Sequence, residues 1–418
     1  MKIFHVINSL GTGGSESMLY EIIKNDKKNF HTIFLISEKG TRYKNFIKLN
    51  NFKILNYSDL SLFKKLKNIF KKIKYYKNSK KQITLNTWMY KSHIYLFIIK
   101  FFVNFQLLLH IRHCGITKQH SFINRLPIYI TMYLSKKFAN KIIYNSYFSK
   151  FNHEKIGYPK KLGIVIQNGY QHSDFKKDEI KIYEKQKIVI GMLARKNFIK
   201  DHNTLIDTFH ELNKKDKNLF LYLQGAGLQN DNRLKEKISK INCKNIIISK
   251  TLDKETFFKK IDIHVLSSFG ESFPNVVIEA IQRNVYSISS QVGDVEKILP
   301  KDFIFKIEDK NELKKKLLQL IFMIKNQPKK ITQIKNSLKK SIYNKFKFKD
   351  QLNQFSLIWK ELLNTKNALL IVPTLVGGGA ERVMTYLCED LENNGYKTTL
   401  IIIGQKSPIQ YEINEKTK

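Results

Sequence analysis

The segment from Ser268 to Ala280 reads Ser-Phe-Gly-Glu-Ser-Phe-Pro-Asn-Val-Val-Ile-Glu-Ala and carries two carboxylates in a chain poor in acids. Glu271 precedes Glu279 by eight residues, about two helical turns at roughly 3.6 residues each. Pro274 suits the first turn of a helix, where its missing N–H costs nothing. Glu271 then lies in the loop before that helix, and Glu279 on the helix face that bears on a cleft. Carboxylates so placed accept hydrogen bonds from sugar or ribose hydroxyls. Phe273, Val276, Val277 and Ile278 surround them with apolar groups, which argues against two stray surface acids.

Cations supply the complementary chemistry. Gly191-Met192-Leu193-Ala194-Arg195 reads as the end of a strand, and Lys200-Asp201-His202 follows a short loop. Arg forks onto two oxygens and Lys acts as a point charge, so Arg195 and Lys200 suit a diphosphate beside the carboxyl end of a parallel strand. Near the N-terminus, Gly13-Gly14-Ser15-Glu16 sits where a strand hands over to a helix. Glycines there allow close approach of a ligand, and the helix start offers unpaired N–H groups. The turn is not a G-x-G-x-x-G dinucleotide fingerprint.

Positioning these groups calls for α/β architecture. Strands are expected at Ile3–Ile7, Thr32–Ile36, Ile83–Asn86, Leu107–Ile111, Lys141–Tyr144 and Gly163–Ile166. A second block follows with Lys187–Leu193, Leu219–Gln224, Asn245–Ile248, Ile263–Leu266 and Val285–Ser289. Helical patterns lie between them, which implies right-handed β-α-β units and parallel sheets covered on both faces. The expected division is a first domain over 1–168, a second over 169–345 and a helix over 346–364 that crosses back to the first. After it, Ala368–Pro373 and Thr374-Leu375-Val376-Gly377-Gly378-Gly379-Ala380-Glu381 repeat the pattern that opens the chain. Residues 366–418 therefore read as the truncated start of a second such domain, or as a piece docked on the first.

Composition narrows the class. The formal charge is +39, and Lys, Asn and Ile are abundant throughout. No RNA- or DNA-binding motif accompanies the charge, so no nucleic-acid partner is expected. Cys114, Cys243 and Cys388 follow no metal-ligand spacing and fit a reducing cytoplasm. No metal or cofactor is expected. His93–Ile111 is mostly apolar, but Lys100, Asn104 and Gln106 interrupt it, so it reads as a core helix plus a strand rather than a span. Leu62, Phe63, Leu66, Ile69, Phe70, Ile73 and Tyr76 recur at helical spacing among lysines. Packing on a sheet and contact with an anionic membrane face both suit that helix.

Together these segments resemble glycosyltransferase family 4, the retaining transferases of GT-B fold with two facing Rossmann-like domains. The resemblance covers residues 1–364. Its most specific element is the spacing from Glu271 to Glu279 within Ser-x-x-Glu-x-Phe-Pro-Asn-Val-x-x-Glu-Ala. Gly191–Arg195 with Lys200, Gly225-Ala226-Gly227, Tyr144-Asn145-Ser146, Ile166-Gln167-Asn168-Gly169 and Gly13-Gly14-x-Glu16 are similar to further family segments. The resemblance implies that Arg195 and Lys200 neutralise the donor diphosphate, Glu279 holds the ribose and Glu271 the transferred sugar. The segment Phe273-Pro274-Asn275-Val276 should bind the donor through the backbone N–H groups it has, and Gly225 should form the next glycine turn. Gly13 and Gly14 should approach the diphosphate from the first domain. His110-Ile111-Arg112-His113 resembles the strand end that carries an active-site histidine, which makes His113 the candidate to orient the sugar or move a proton. Two departures are visible. Lys91 stands where relatives often have histidine, and Tyr170-Gln171 replaces a common aliphatic-Asp pair; both are expected to affect the acceptor side.

The implied activity is transfer of a hexose from a UDP- or GDP-sugar to a glycan or lipid-linked oligosaccharide, in surface polysaccharide or lipopolysaccharide synthesis. It would occur in the cytoplasm, with possible peripheral contact to the inner membrane face. A GT-B phosphorylase or a sugar-nucleotide epimerase would use the same architecture, and these stand as alternatives with an inactive or truncated fusion acting as a glycan- or nucleotide-sugar-binding module.

Overall fold

The computed structural model describes residues 2–11, 13–78, 83–116, 122–171, 187–249, 253–363, 366–372, 379–393 and 396–403. The connection at 172–186 and the second glycine turn at 373–378 lie outside them.

The first sheet is built from β1 (Lys2–Ser9), β2 (Phe30–Glu38), β3 (Phe52–Asn56), β4 (Thr84–Trp88), β5 (Gln106–Ile111), β6 (Lys141–Tyr144) and β7 (Gly163–Val165). Its seven strands run in the order β3-β2-β1-β4-β5-β6-β7, all parallel. The helices between them are α1 (Gly14–Asn25), α2 (Tyr43–Ile47), α3 (Leu62–Asn78), α4 (Tyr90–Lys100), α5 (Phe122–Phe138) and α6 (Tyr147–Lys155). The second sheet holds β8 (Ile188–Leu193), β9 (Leu219–Gln224), β10 (Ile246–Ile248), β11 (Ile263–Leu266), β12 (Tyr286–Ser290) and β13 (Ile304–Phe305). Its six parallel strands run β10-β9-β8-β11-β12-β13. Around it stand α7 (His202–Lys215), α8 (Asn232–Ile241), α9 (Lys254–Lys260), α10 (Asn275–Gln282), α11 (Lys310–Asn326) and α12 (Pro328–Lys345).

Both sheets reverse direction of winding once, between β1 and β4 and between β8 and β11. A crevice opens at the carboxyl ends of the strands at such a switch point. The Gly13-Gly14 turn follows β1, the Arg195–Lys200 loop follows β8, and Glu271 follows β11. The candidate residues therefore cluster where doubly wound sheets bind ligands.

Two strands go beyond expectation. β3 is only half-buried and carries Lys53 and Asn56, so it shows no continuous apolar run. β13 is two residues long and pairs with β12 only at Ser289 and Ser290. Pro274 is the N-cap of α10 rather than a residue inside its first turn. The apolar stretch 93–111 forms α4 and β5, and no described helix is long and apolar enough to cross a membrane. In α3 the buried residues are Ile69 and Ile73, which pack under the first sheet.

Helix α13 (Phe348–Leu363) returns to the first sheet after the second is complete. Phe355, Ile358, Trp359 and Leu362 join Ile3, Ile7, Leu19 and Ile33 in one apolar cluster. Trp359 Nε1 donates to Asn86 Oδ1 at 3.0 Å in that interior. Beside it, Trp88 Nε1 donates to His5 Nδ1 at 3.3 Å. His5 must then hold its proton on Nε2, which meets His31 Nδ1 at 2.9 Å, and His31 Nε2 meets the Asp26 carboxylate at 3.2 Å. A single direction of donation runs through the four side chains, which sets the ring nitrogen from which each imidazole donates.

The remaining unit is β14 (Lys366–Val372), α14 (Gly379–Asn393) and β15 (Tyr396–Ile402). It repeats the order β1-α1-β2, with β14 and β15 parallel in a sheet of two strands. Leu369, Ile371 and Ile401 are exposed on it.

The buried histidines make a prediction about acid. Burial pushes His93 and His264 down to about 3 and His153 to about 4. The unfolded chain takes up these protons near 6.5 while the folded chain refuses them. Stability is thus full above about pH 6.5 and falls as pH drops toward the folded values, by up to about 1.4 kcal/mol per pH unit for each histidine. Urea midpoints measured from pH 7 to pH 4.5 should fall accordingly. His264→Asn should give a shallower slope, by about one proton's worth.

Candidate active site

The loop after β8 is held by its own side chains. Asn197 Oδ1 accepts from Ile199 N at 2.9 Å and opens a short 3-10 turn, Phe198–Lys200. Asp201 follows in the left-handed region, at φ 47°, and caps α7 by accepting from Thr204 N at 3.1 Å. The Asp201 cap thereby fixes where Lys200 leaves the backbone. Gly225, after β9, backs the same loop. A Cβ there would lie 1.9 Å from Ala194 O, so only glycine allows the two loops to touch. Lys196 N donates to Ala226 O at 2.8 Å across that contact.

Both glutamates of the motif are paired with lysines. Lys200 Nζ lies 2.5 Å from Glu271 Oε1, which also accepts from Ser268 Oγ at 2.9 Å. Lys254 Nζ, at the start of α9, lies 2.8 and 2.7 Å from the two oxygens of Glu279. All four side chains are partly exposed. Arg195 is exposed and forms no ion pair among the described residues. The expected diphosphate cation Lys200 and the expected sugar-binding acid Glu271 thus form one ion pair.

The first domain closes over this group. Gly13 is the N-cap of α1 in ordinary extended conformation, and its O accepts from Ser17 Oγ at 2.8 Å. Gly13 needs no positive φ; a Cβ there would collide with the Glu16 carboxylate at 2.4 Å. At Gly14 a Cβ would lie 3.5 Å from Asn275 Nδ2, so the first domain's turn faces the first residue of α10. Asn275 Oδ1 accepts from Asn168 Nδ2 at 2.5 Å and from Tyr170 OH at 2.8 Å. Arg112 in turn donates to Asn168 Oδ1 and lies over the Trp88 ring, 5.9 Å from its centre. Burial pushes the Arg112 guanidinium down to about 10, which leaves it charged at neutral pH.

Within the segment Phe273–Val276, one N–H is engaged locally. Asn275 N already donates to Phe273 O at 2.9 Å, so this N–H is spent within the turn. Phe273 is buried against Phe346, with ring centres 5.3 Å apart. Asn275 instead contributes its side chain to the interdomain network. The Tyr170 departure also reaches further than expected, since its hydroxyl holds a residue of the donor-side motif. Lys91 is exposed on α4. Two residues before it, Met89 holds φ 69° at the end of β4, a conformation that a non-glycine residue keeps only under constraint.

His113 follows β5. Its Nδ1 accepts from Gly115 N at 3.2 Å, and its ring meets Tyr90 edge-on, 5.9 Å between centres. Its neighbour Cys114 lies close enough to Glu271 and Lys200 to feel both charges. Burial first, and Glu271 second, push the Cys114 thiol up to about 12. Cys114 therefore stays protonated and is no nucleophile.

Contacts between domains include several residues that motif reading missed. Asp294, after β12, accepts from Tyr147 N at 3.0 Å and Phe148 N at 2.9 Å, and so caps α6 from the opposite domain. It also accepts from Gln167 Nε2 at 2.8 Å. Ser272 Oγ donates to Asn145 Oδ1 at 2.5 Å and meets Ser146 Oγ at 2.8 Å. Asn145, Ser146, Gln167 and Ser272 lie in segments that stand out in the sequence. Asp294, Arg112 and Lys254 gain their meaning from partners far along the chain. A cavity of about 970 Å³ lies outside this group, beside Phe198, Asp201 and Asn230.

Residues 185–322 match the family described as Glycosyl transferases group 1. The chain is 27% identical over 221 residues to the capsular polysaccharide biosynthesis glycosyltransferase CapM of Staphylococcus aureus, covering 50% of this chain and 55% of CapM. It is 25% identical over 185 residues to protein CapJ of the same organism, covering 43% and 46%. The chain thus spans about half the length of the curated relatives it matches. Among solved structures it resembles Anabaena Alr3699/HepE in complex with UDP and glucose, at TM-score 0.73 and 17% identity, over 86% of this chain and 99% of that one. TarM is similar at TM-score 0.70 and 13% identity, over 86% and 98%. The fold is GT-B, two parallel α/β sheets facing across a cleft.

Proposed function

We propose that this chain is a retaining glycosyltransferase that moves a hexose from a nucleotide-diphosphate sugar to an acceptor of surface polysaccharide synthesis. One observation carries the reading. Lys200–Glu271 and Lys254–Glu279 flank the start of α10 at the switch point of the second sheet, opposite the Gly13-Gly14 turn of the first. The group 1 match over this domain and the UDP bound by Alr3699/HepE support it.

In this reading Arg195 and Lys200 hold the diphosphate, and Glu279 the ribose diol. Glu271 accepts hydroxyls of the transferred sugar, and Gly13-Gly14 and His113 approach from the first domain. Charge grows on the diphosphate as the bond from sugar to phosphate breaks. The two cations stabilise that charge at fixed positions, so no reorganisation is needed at the moment of reaction. The acceptor oxygen attacks on the face the diphosphate leaves, and its proton passes to a leaving phosphate oxygen. No protein nucleophile takes part, consistent with a protonated Cys114. Alignment with CapM supports a capsular or related glycan as the product.

Donor identity and reading are tested together. Binding and slow hydrolysis of UDP-, GDP- and ADP-sugars should be selective for one base. Glu279→Ala and Arg195→Ala should each weaken binding by roughly tenfold or more, as expected when a charged hydrogen bond is lost. A folded protein that binds none of these sugars would leave the inactive-module reading.

We propose as well that the first domain rests on an anionic lipid surface. No acid occurs between Asp59 and Glu154. Within that stretch α4 packs on both α3 and α5, and the three helices with the turn after α4 expose Phe63, Phe101, Phe102, Ile123 and Tyr133 in a lysine-rich sequence. Basic side chains beside exposed aromatic and aliphatic groups suit the interface of an anionic bilayer. Sedimentation with phosphatidylglycerol vesicles should exceed that with neutral vesicles at low salt and fall as salt rises; equal sedimentation with both would count against membrane contact.

A further inference from the structure

We infer that Lys254 is a positioning residue for the nucleoside half of the donor, holding the Glu279 carboxylate so that its remaining lone pairs receive the ribose diol. The inference rests on the donor-site reading above. A carboxylate offers about four acceptor directions. Lys254 Nζ engages both Glu279 oxygens, at 2.8 and 2.7 Å, and takes one direction from each. The carboxylate is thereby fixed in plane, with one direction per oxygen left for a pair of vicinal hydroxyls.

Helix stability does not account for this lysine. Lys254 is the first residue of α9, where the helix end carries partial positive charge and disfavours a cation. Asp253 already caps the helix by accepting from Thr256 N at 2.7 Å. Docking of α9 on α10 has a separate tie, since Arg283 binds Glu255 at 2.6 Å, and Phe257 and Phe258 are buried beneath. The Lys254 side chain is 41% exposed, so its ion pair adds little to folding.

Its place relative to the first pair gives it a separable role. Lys200 serves the end of the motif where the diphosphate would lie, and Lys254 the end eight residues on. Loss of Lys254 should therefore damage recognition of a nucleoside and spare recognition of phosphate alone.

Calorimetric titration with UDP, GDP and inorganic pyrophosphate separates these roles, using wild type, Lys254→Met and Lys254→Arg. The Met variant should bind the preferred nucleotide roughly tenfold more weakly, bind pyrophosphate as wild type does, and melt at the same temperature. The Arg variant should recover most of the nucleotide affinity. Unchanged nucleotide binding in Lys254→Met would overturn the inference. So would tighter binding, which would mark Lys254 as a competitor for Glu279, or an equal loss for pyrophosphate, which would mark a general charge effect. A wild type that binds neither nucleotide would overturn the donor-site reading itself, and this inference with it.

Discussion

A parallel sheet offers ligands only the carboxyl ends of its strands, so a site shared by two such sheets depends on how they are aimed. The Asp294 carboxylate meets that constraint here. It leaves the second sheet after β12 and accepts the first N–H groups of α6 in the opposite domain. A helix start buried at an interface needs such acceptors, because its first N–H groups have no partner within the helix. Ser272 with Asn145 and Ser146, and Asn275 with Asn168 and Tyr170, continue the same seam. The seam sets the Gly13-Gly14 turn against α10 and the end of β5 near Glu271. Helix α13 reinforces it by inserting Trp359 under the first sheet.

Charge distribution follows from that geometry. The chain carries far more cations than acids, yet both motif glutamates each hold a lysine. The pairs tie two partly buried carboxylates to fixed cations. Arg195 and Arg112 add further cations, one exposed after β8 and one tucked between Trp88 and Asn168. In the proposed reaction such a site would act by fixed dipoles and charges rather than through a covalent intermediate.

Much of this was legible in the residues. Strands buried on both faces declare themselves as continuous apolar runs, so β6, β9 and β11 stand where their runs do. The spacing from Glu271 to Glu279 identified the motif because Pro274 and the flanking apolar residues fixed the helix between them. Edge elements were not legible: β3 is polar and half-buried, and β13 is too short to make a pattern. Pairings were less so. Lys254 is one lysine among many, and Asp294 one acid after a strand, until the fold brings Glu279 and α6 to them. Glycine was legible as a turn but not as to cause: Gly225 is required by a loop contact, whereas Gly13 adopts a backbone open to other residues.

The central claim is that α10 and its two acid–lysine pairs form the nucleotide-binding face of the cleft. A crystal structure of the chain with its preferred nucleoside diphosphate tests it most directly. The account predicts the diphosphate beside Arg195 and Lys200, within reach of the Gly13-Gly14 turn, and the ribose on Glu279. A nucleotide bound elsewhere, such as the groove beside Phe198 and Asn230, with Glu279 touching only Lys254, would contradict it.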